Sequence, residues 1–179
     1  MKKTFKNSAS QLVMGLSLSC ISVMINSGIA NQIVLAKTAN PVKCDIFAYV
    51  TEKDPQGLNV RSGASTRNKI LGTVPTNETV KIIAVLGNWV KIINASDGFK
   101  GTGWVSVLKL GISTRGYGSN GVNLYANANQ QSKKVGRVSP DVNVNLLGCQ
   151  SNWAWVEYQG VKGWLKKEDQ CGAALTSCS

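Results

Sequence analysis

The side chains able to do chemistry in this 179-residue chain are few, and their types exclude more than they allow. There is no histidine, and there are five cysteines and nine acidic residues. A thiol nucleophile activated by an imidazole base and a zinc site built on imidazole ligands each lack a required part. A carboxylate pair is the minimum for glycoside hydrolysis. The acids here fall singly in turns or beside lysines, as Glu168 and Asp169 do after Lys166 and Lys167. No Gly-x-x-x-x-Gly-Lys loop is present to cradle phosphate. The chain is therefore expected to be no enzyme, with no metal and no cofactor.

Recognition is the chemistry that remains, and the first residues set its compartment. Lys2, Lys3 and Lys6 form a basic head, followed by the apolar run Leu12–Ile25 and then Asn26, Ser27 and Gly28. This is the layout of a signal peptide, expected over residues 1–36 with cleavage after Ala36, or less favourably after Ala30. The apolar run has 14 residues, short of the roughly 20 a spanning helix needs, so no stable membrane span is expected after cleavage. The protein is read as exported, to the periplasm or the extracellular medium. The formal charge is +11, and losing those three lysines leaves +8. A positive field draws anionic partners over long range: wall polymers, lipid headgroups or acidic proteins. Nucleic acid is not expected, because the lysines are scattered singly apart from Lys133-Lys134 and Lys166-Lys167, whereas nucleic-acid readers concentrate them in a patch.

The elements that position any binding residues are written twice. Leu58-Asn59-Val60 matches Val122-Asn123-Leu124 at an offset of 64. The same offset aligns Leu71-Gly72-Thr73-Val74 with Val135-Gly136-Arg137-Val138, and Asn88-Trp89 with Asn152-Trp153. Gly103-Trp104-Val105 then matches Gly163-Trp164-Leu165 at an offset of 60, so the first copy carries four extra residues in the 94–102 hairpin. Internal repetition of this kind marks a duplicated structural unit. Thr79–Val85 and Trp89–Ile93 are rich in β-branched and aromatic residues around Gly87-Asn88, a hairpin pattern. No stretch of the mature chain has a helical apolar period of useful length. About five short strands per copy predict an all-β fold of small barrels, which removes exposed sheet edges.

The residues in the first copy that carry a family resemblance are Gly57-Leu58-Asn59-Val60-Arg61-Ser62-Gly63-Ala64-Ser65, then Ile70-Leu71-Gly72-Thr73-Val74. Gly87-Asn88-Trp89-Val90-Lys91-Ile92 and a closing Gly103-Trp104-Val105 follow. Together they resemble bacterial SH3-like (SH3b) domains. The second copy departs from the pattern where Tyr125, Ala126 and Asn127 replace Arg61, Ser62 and Gly63. The resemblance implies two tandem SH3-like barrels over 42–110 and 116–172, a linker at 111–115 and a tail at 173–179. It further implies a non-catalytic role, attachment to the cell envelope through peptidoglycan peptides. The alternative is a periplasmic protein–protein adaptor or modulator without wall affinity.

Four tryptophans at equivalent positions, Trp89, Trp104, Trp153 and Trp164, are expected to fill the barrel cores. Trp155 has no aromatic counterpart, since Lys91 stands there in the first copy, and strand alternation puts it on the side of Trp153. The surface candidates for binding are Tyr49, Arg61, Tyr125, Trp155 and Tyr158. Cys44, Cys149, Cys171 and Cys178 remain after cleavage, and four cysteines in an exported small-domain protein read as two disulfides. The repeat favours Cys149–Cys171 as a staple within the second barrel, with Cys44–Cys178 tying entry to tail. Cys171–Cys178 with Cys44–Cys149 is the rival pairing.

Overall fold

A computed structural model describes residues 40–116 and 118–174. The expected leader over 1–36, Cys178 and the end of the tail lie outside the described residues. The rest is built of strands: β1 (Val42–Val50), β2 (Leu58–Arg61), β3 (Ile70–Val74), β4 (Thr79–Leu86), β5 (Trp89–Ile93), β6 (Thr102–Ser106), β7 (Leu110–Thr114), β8 (Val122–Tyr125), β9 (Lys134–Val138), β10 (Asn143–Gln150), β11 (Trp153–Tyr158), β12 (Val161–Leu165) and β13 (Gln170–Cys171). Two 3-10 turns, Val107–Lys109 and Lys167–Asp169, precede β7 and β13. Among the described residues no helix is long and apolar enough to cross a membrane. The all-β expectation, with two tandem barrel units, is met.

The duplication extends to the irregularities of the sheet. The β4–β5 register slips between Ile82 and Ala84, and the β10–β11 register slips between Leu146 and Gly148. The β2–β3 slip between Val60 and Arg61 recurs between Leu124 and Tyr125. Bulges of this kind re-aim the side chains that follow them. The length difference also falls where expected. The second copy closes its β11–β12 hairpin with Gln159 and Gly160, both at positive φ (49° and 80°), the geometry of the tightest hairpin turn. The first copy spends residues 94–101 on the same connection, and this loop brings Phe99 against Gly72.

The segment expected as a linker is a strand shared by both barrels. β7 pairs with β1 through Tyr49↔Gly111 and Val50↔Leu110, and with β10 through Val144↔Ile112 and Asn145↔Gly111. It also receives β13 through Gln170↔Thr114 and Cys171↔Ser113. β7 thus closes the first barrel as β13 closes the second, and it leads into the second barrel as β1 leads into the first. All five of its residues are buried. Its hydroxyls are paired: Ser113 Oγ lies 2.8 Å from both Asn143 Oδ1 and the Ala173 carbonyl, either of which can take its one proton, and Thr114 Oγ1 donates to the Ser139 carbonyl at 2.8 Å. A Gly- and Ser-bearing strand with every polar group paired costs little to bury, which is why composition alone reads it as a loop. The buried residues of both copies, from Ile46 and Val60 to Leu146 and Val156, form one continuous apolar core.

The disulfide pairing also differs from the favoured expectation. Cys149 is bonded to Cys44, not to Cys171, across 105 residues of sequence with Cα atoms 5.8 Å apart. The cause lies in β1, whose register against β4 slips between Lys43 and Ile46. At that slip the Asp45 N–H donates to the Ser151 carbonyl at 2.6 Å, and the Ser151 N–H donates to the Lys43 carbonyl at 2.8 Å. Cys44 is thereby placed against the β10–β11 turn, next to Cys149. Ser151 occupies the position of Gly87 and keeps a positive φ of 51°, uncommon for a residue with a Cβ. The two backbone bonds to β1 hold it there. Because Cys44 is bonded to Cys149, the expected Cys44–Cys178 bond is excluded along with Cys149–Cys171; Cys171 is itself disulfide-bonded.

Candidate binding face

Strand alternation in the second barrel sends Ala154, Val156 and Leu165 inward, each fully buried, and Trp153, Trp155 and Trp164 outward, each half-buried. The expected core role of the four equivalent tryptophans is therefore corrected: Trp89 and Trp104 are likewise half-buried, beside the buried Val90 and Val105. Aliphatic side chains such as Ile82, Ile92, Leu146 and Leu165 fill the barrel interiors instead. Trp155 shares a side with Trp153 as alternation requires, and that side faces out.

Cross-strand register then collects the aromatics. Tyr125 stands opposite Trp164, and Trp164 opposite Trp155, so three rings lie in one row across β8, β12 and β11. Trp155 and Trp164 are 5.2 Å apart between centroids with rings tilted by 48°. Trp153 meets Tyr125 edge-to-face at 5.6 Å. Rings at these separations stabilise one another by about 0.5–1.5 kcal/mol per pair beyond area burial, which holds the face in one shape. Beyond Trp155 the row ends on Gly148, so nothing projects over the indole from that side. The equivalent row of the first barrel is Arg61, Trp104, Lys91 and Ala84. The same scaffold carries a mixed basic and aromatic face in one copy and a wholly aromatic one in the other.

Of the five expected surface residues, the structure brings together only Tyr125 and Trp155. Tyr125 is 6% exposed, covered in part by Trp153. Tyr49 is 4% exposed and lies at the junction of β1 with β7, where an added Cβ on Gly111 would come within 2.7 Å of its ring. Burial raises its phenol above the usual range, and a hydrogen bond with Ser113 opposes that rise. Tyr158 packs on the rim of the core and accepts from Gln159 Nε2 at 3.2 Å. Arg61 Nη1 donates to the Thr66 and Asn68 carbonyls, both at 2.9 Å, and so pins the 62–68 loop. Trp153 and Trp164 were missed as face residues. The available signal was Lys91, whose charge at the position of Trp155 marks that side of the strand as solvent-facing.

Two hollows lie on the described surface. One, of about 390 Å³, is lined by Phe47, Thr79, Arg115 and Gln170 among others. Its charged groups are engaged, since Arg115 Nε donates to the Gln170 carbonyl at 2.9 Å and Lys167 bonds Asp45 at 2.8 Å. The hydrogen bond from Lys167, with Lys81 adding to it, holds Asp45 below its ordinary carboxyl range. The second hollow, of about 170 Å³, lies in the first barrel beside Arg61 and Trp89.

The fold is a small β-barrel written twice, with a different face on each copy. The bacterial SH3 domain family matches residues 56–108 and 120–169, and the chain belongs to that family. Its domains are generally cell-wall-binding and usually extracellular. No curated protein sequence matches the chain significantly. Among solved structures the chain is similar to NlpC2 from Trichomonas vaginalis, at 12% identity and a TM-score of 0.31, covering 71% of this chain and 48% of that one. NlpC1 from the same organism gives 13%, 0.31, 76% and 49%. An NlpC/P60 family protein from Bacillus cereus ATCC 10987 gives 15%, 0.27, 70% and 55%. The chain spans about half the length of these solved proteins.

Proposed function

We propose that the protein is an exported, non-catalytic module that attaches to the cell envelope, with peptidoglycan peptides as its ligand and the aromatic face of the second barrel as its principal contact. The observation that carries this reading is the row Tyr125–Trp164–Trp155, flanked by Trp153, in a chain of the bacterial SH3 family. The half-buried indoles, held in place by the buried Tyr125 ring, offer a large apolar area with polar edges at low entropic cost, the combination that interfaces concentrate. The net +8 of the mature chain adds long-range attraction to an anionic wall. Absence of histidine from the sequence removes the acid–base partner that wall peptidases and amidases rely on, which supports binding without turnover.

Co-sedimentation with purified insoluble peptidoglycan tests the proposal. The protein is expected in the pellet at low ionic strength and to a lesser extent at high salt, because screening weakens the charge contribution beyond about 8 Å but leaves ring contacts intact. Recovery in the supernatant at low salt would overturn wall attachment and favour an adaptor that binds an envelope protein.

A further inference from the structure

We infer that the 170 Å³ hollow of the first barrel is a separate ligand site, shaped for a small zwitterion of amino-acid or dipeptide size. The hollow lies between the turn that carries Asp54, the loop pinned by Arg61, and the Trp89 ring, with Glu52, Thr66 and Lys109 also on its wall. At about 170 Å³ it lies below the size of a drug-sized pocket, so a small ligand is the one it suits.

The charges on this wall are balanced and differently committed. Glu52 and Lys109 are spent on each other, Nζ to Oε2 at 3.1 Å, and the hydrogen bond from Lys109 keeps the Glu52 carboxyl below its ordinary range. Asp54 Oδ1 accepts from the Gln56 N–H at 2.9 Å, and no described residue donates to its other oxygen. Arg61 gives Nη1 to two loop carbonyls, and no described residue accepts from Nη2 or Nε. A guanidinium fixed at one nitrogen, with three N–H groups left on the other two, is prepared for a carboxylate, since the ordering cost is already met by the fold. A free carboxylate oxygen on the same hollow supplies the partner for an ammonium. The half-buried Trp89 ring provides an apolar floor for the carbons between them. A simple anion would face Asp54 and a simple cation would face Arg61, so a ligand carrying both charges is favoured over either.

The second barrel cannot form the same site. Tyr125 replaces Arg61, and its ring lies edge-on to Trp153, the counterpart of Trp89. Gly116 and Gly118 stand where Glu52 and Asp54 stand in the first copy. The site thus uses the residues by which the copies differ, and it does not depend on the aromatic face.

Titrating the full mature chain with dialanine, followed through the tryptophan indole N–H and arginine Nε–H resonances, tests this. Saturable shifts at Trp89 and Arg61 are expected, with at least tenfold weaker binding of N-acetyl-dialanine and of dialanine amide. Asp54→Asn should weaken dialanine at least fivefold while leaving the spectrum otherwise unchanged, and it stands in if Arg61→Gln disorders the 62–68 loop. No saturable shift at Trp89, equal binding of the capped peptides, or shifts confined to Trp155 and Trp164 would overturn the inference. Peptidoglycan co-sedimentation of Asp54→Asn, expected to resemble that of the unmodified protein, keeps this result separate from the fate of the aromatic face.

Discussion

Lys91 and Trp155 hold the same place in the two barrels: each lies opposite a tryptophan of the next strand, Lys91 opposite Trp104 and Trp155 opposite Trp164. The backbone positions are shared, bulges included, so the difference between the two faces is one of side-chain chemistry and not of shape. This separates the face from the fold for mutagenesis.

Trp155→Ala should lower retention on insoluble peptidoglycan roughly fivefold or more, the loss expected when a central interface aromatic is truncated by at least about 1 kcal/mol. Its circular dichroism should stay near that of the parent, with stability lowered only by the lost contact to Trp164, about 0.5–1.5 kcal/mol, because the ring lies outside the core. Trp155→Lys, which copies the first barrel, should reduce retention at least as far. Unchanged sedimentation of both variants would remove the second barrel's face from wall binding.

The Cys44–Cys149 bond closes a span of 105 residues. In the chain-entropy account a loop of that order is worth about 4–5 kcal/mol. A Cys44→Ser, Cys149→Ser double variant should lose about 3–5 kcal/mol in denaturant unfolding, and non-reducing peptide mapping of the parent should yield a fragment linking these two residues. A map joining Cys149 to Cys171 would contradict the structure directly.

Gly111 faces the Tyr49 ring so closely that a Cβ would lie 2.7 Å from its Cζ and its hydroxyl oxygen. Gly111→Ala should therefore destabilise the protein by about 1–3 kcal/mol, the usual cost of overpacking a well-filled site. Because β7 belongs to both barrels, the loss should appear as one transition shifted as a whole. Two separated transitions, one of them unmoved, would show that the barrels unfold independently.

Burial raises the Tyr49 phenol, and the sign of its effect on stability follows. The folded protein keeps this proton where an unfolded chain releases it, near pH ~10. The contribution is fully present below that pH and is lost as pH rises through the folded value. As pH rises above about 10, unfolding free energy should fall more steeply for the parent than for Tyr49→Phe, which has no proton to lose. Parallel slopes would show that Tyr49 is solvated in solution.

Much of this molecule is legible in its sequence, because repetition reports on both copies at once. The hairpin over Thr79–Ile93, the extra residues at 94–102 and the all-β class each follow from residue spacing. β7 was not legible, since Gly111, Ser113 and Thr114 carry the composition of a loop and gain their place only through partners far away in sequence, such as Asn143 and Ala173. The disulfide was hidden for a similar reason: its geometry depends on a slip in β1 and on the backbone of Ser151. The outward tryptophans were legible in principle. Trp153-Ala154-Trp155-Val156 offers two phases, and the lysine at position 91 decides between them.

A strand that is wall to two barrels leaves no hinge between them. The aromatic face of the second barrel and the charged hollow of the first are consequently held at one spacing, instead of sampling many spacings on a tether. A wall polymer seated on the face and a free zwitterion seated in the hollow then occupy the protein side by side, each at its own affinity, without the avidity that a shared ligand would give.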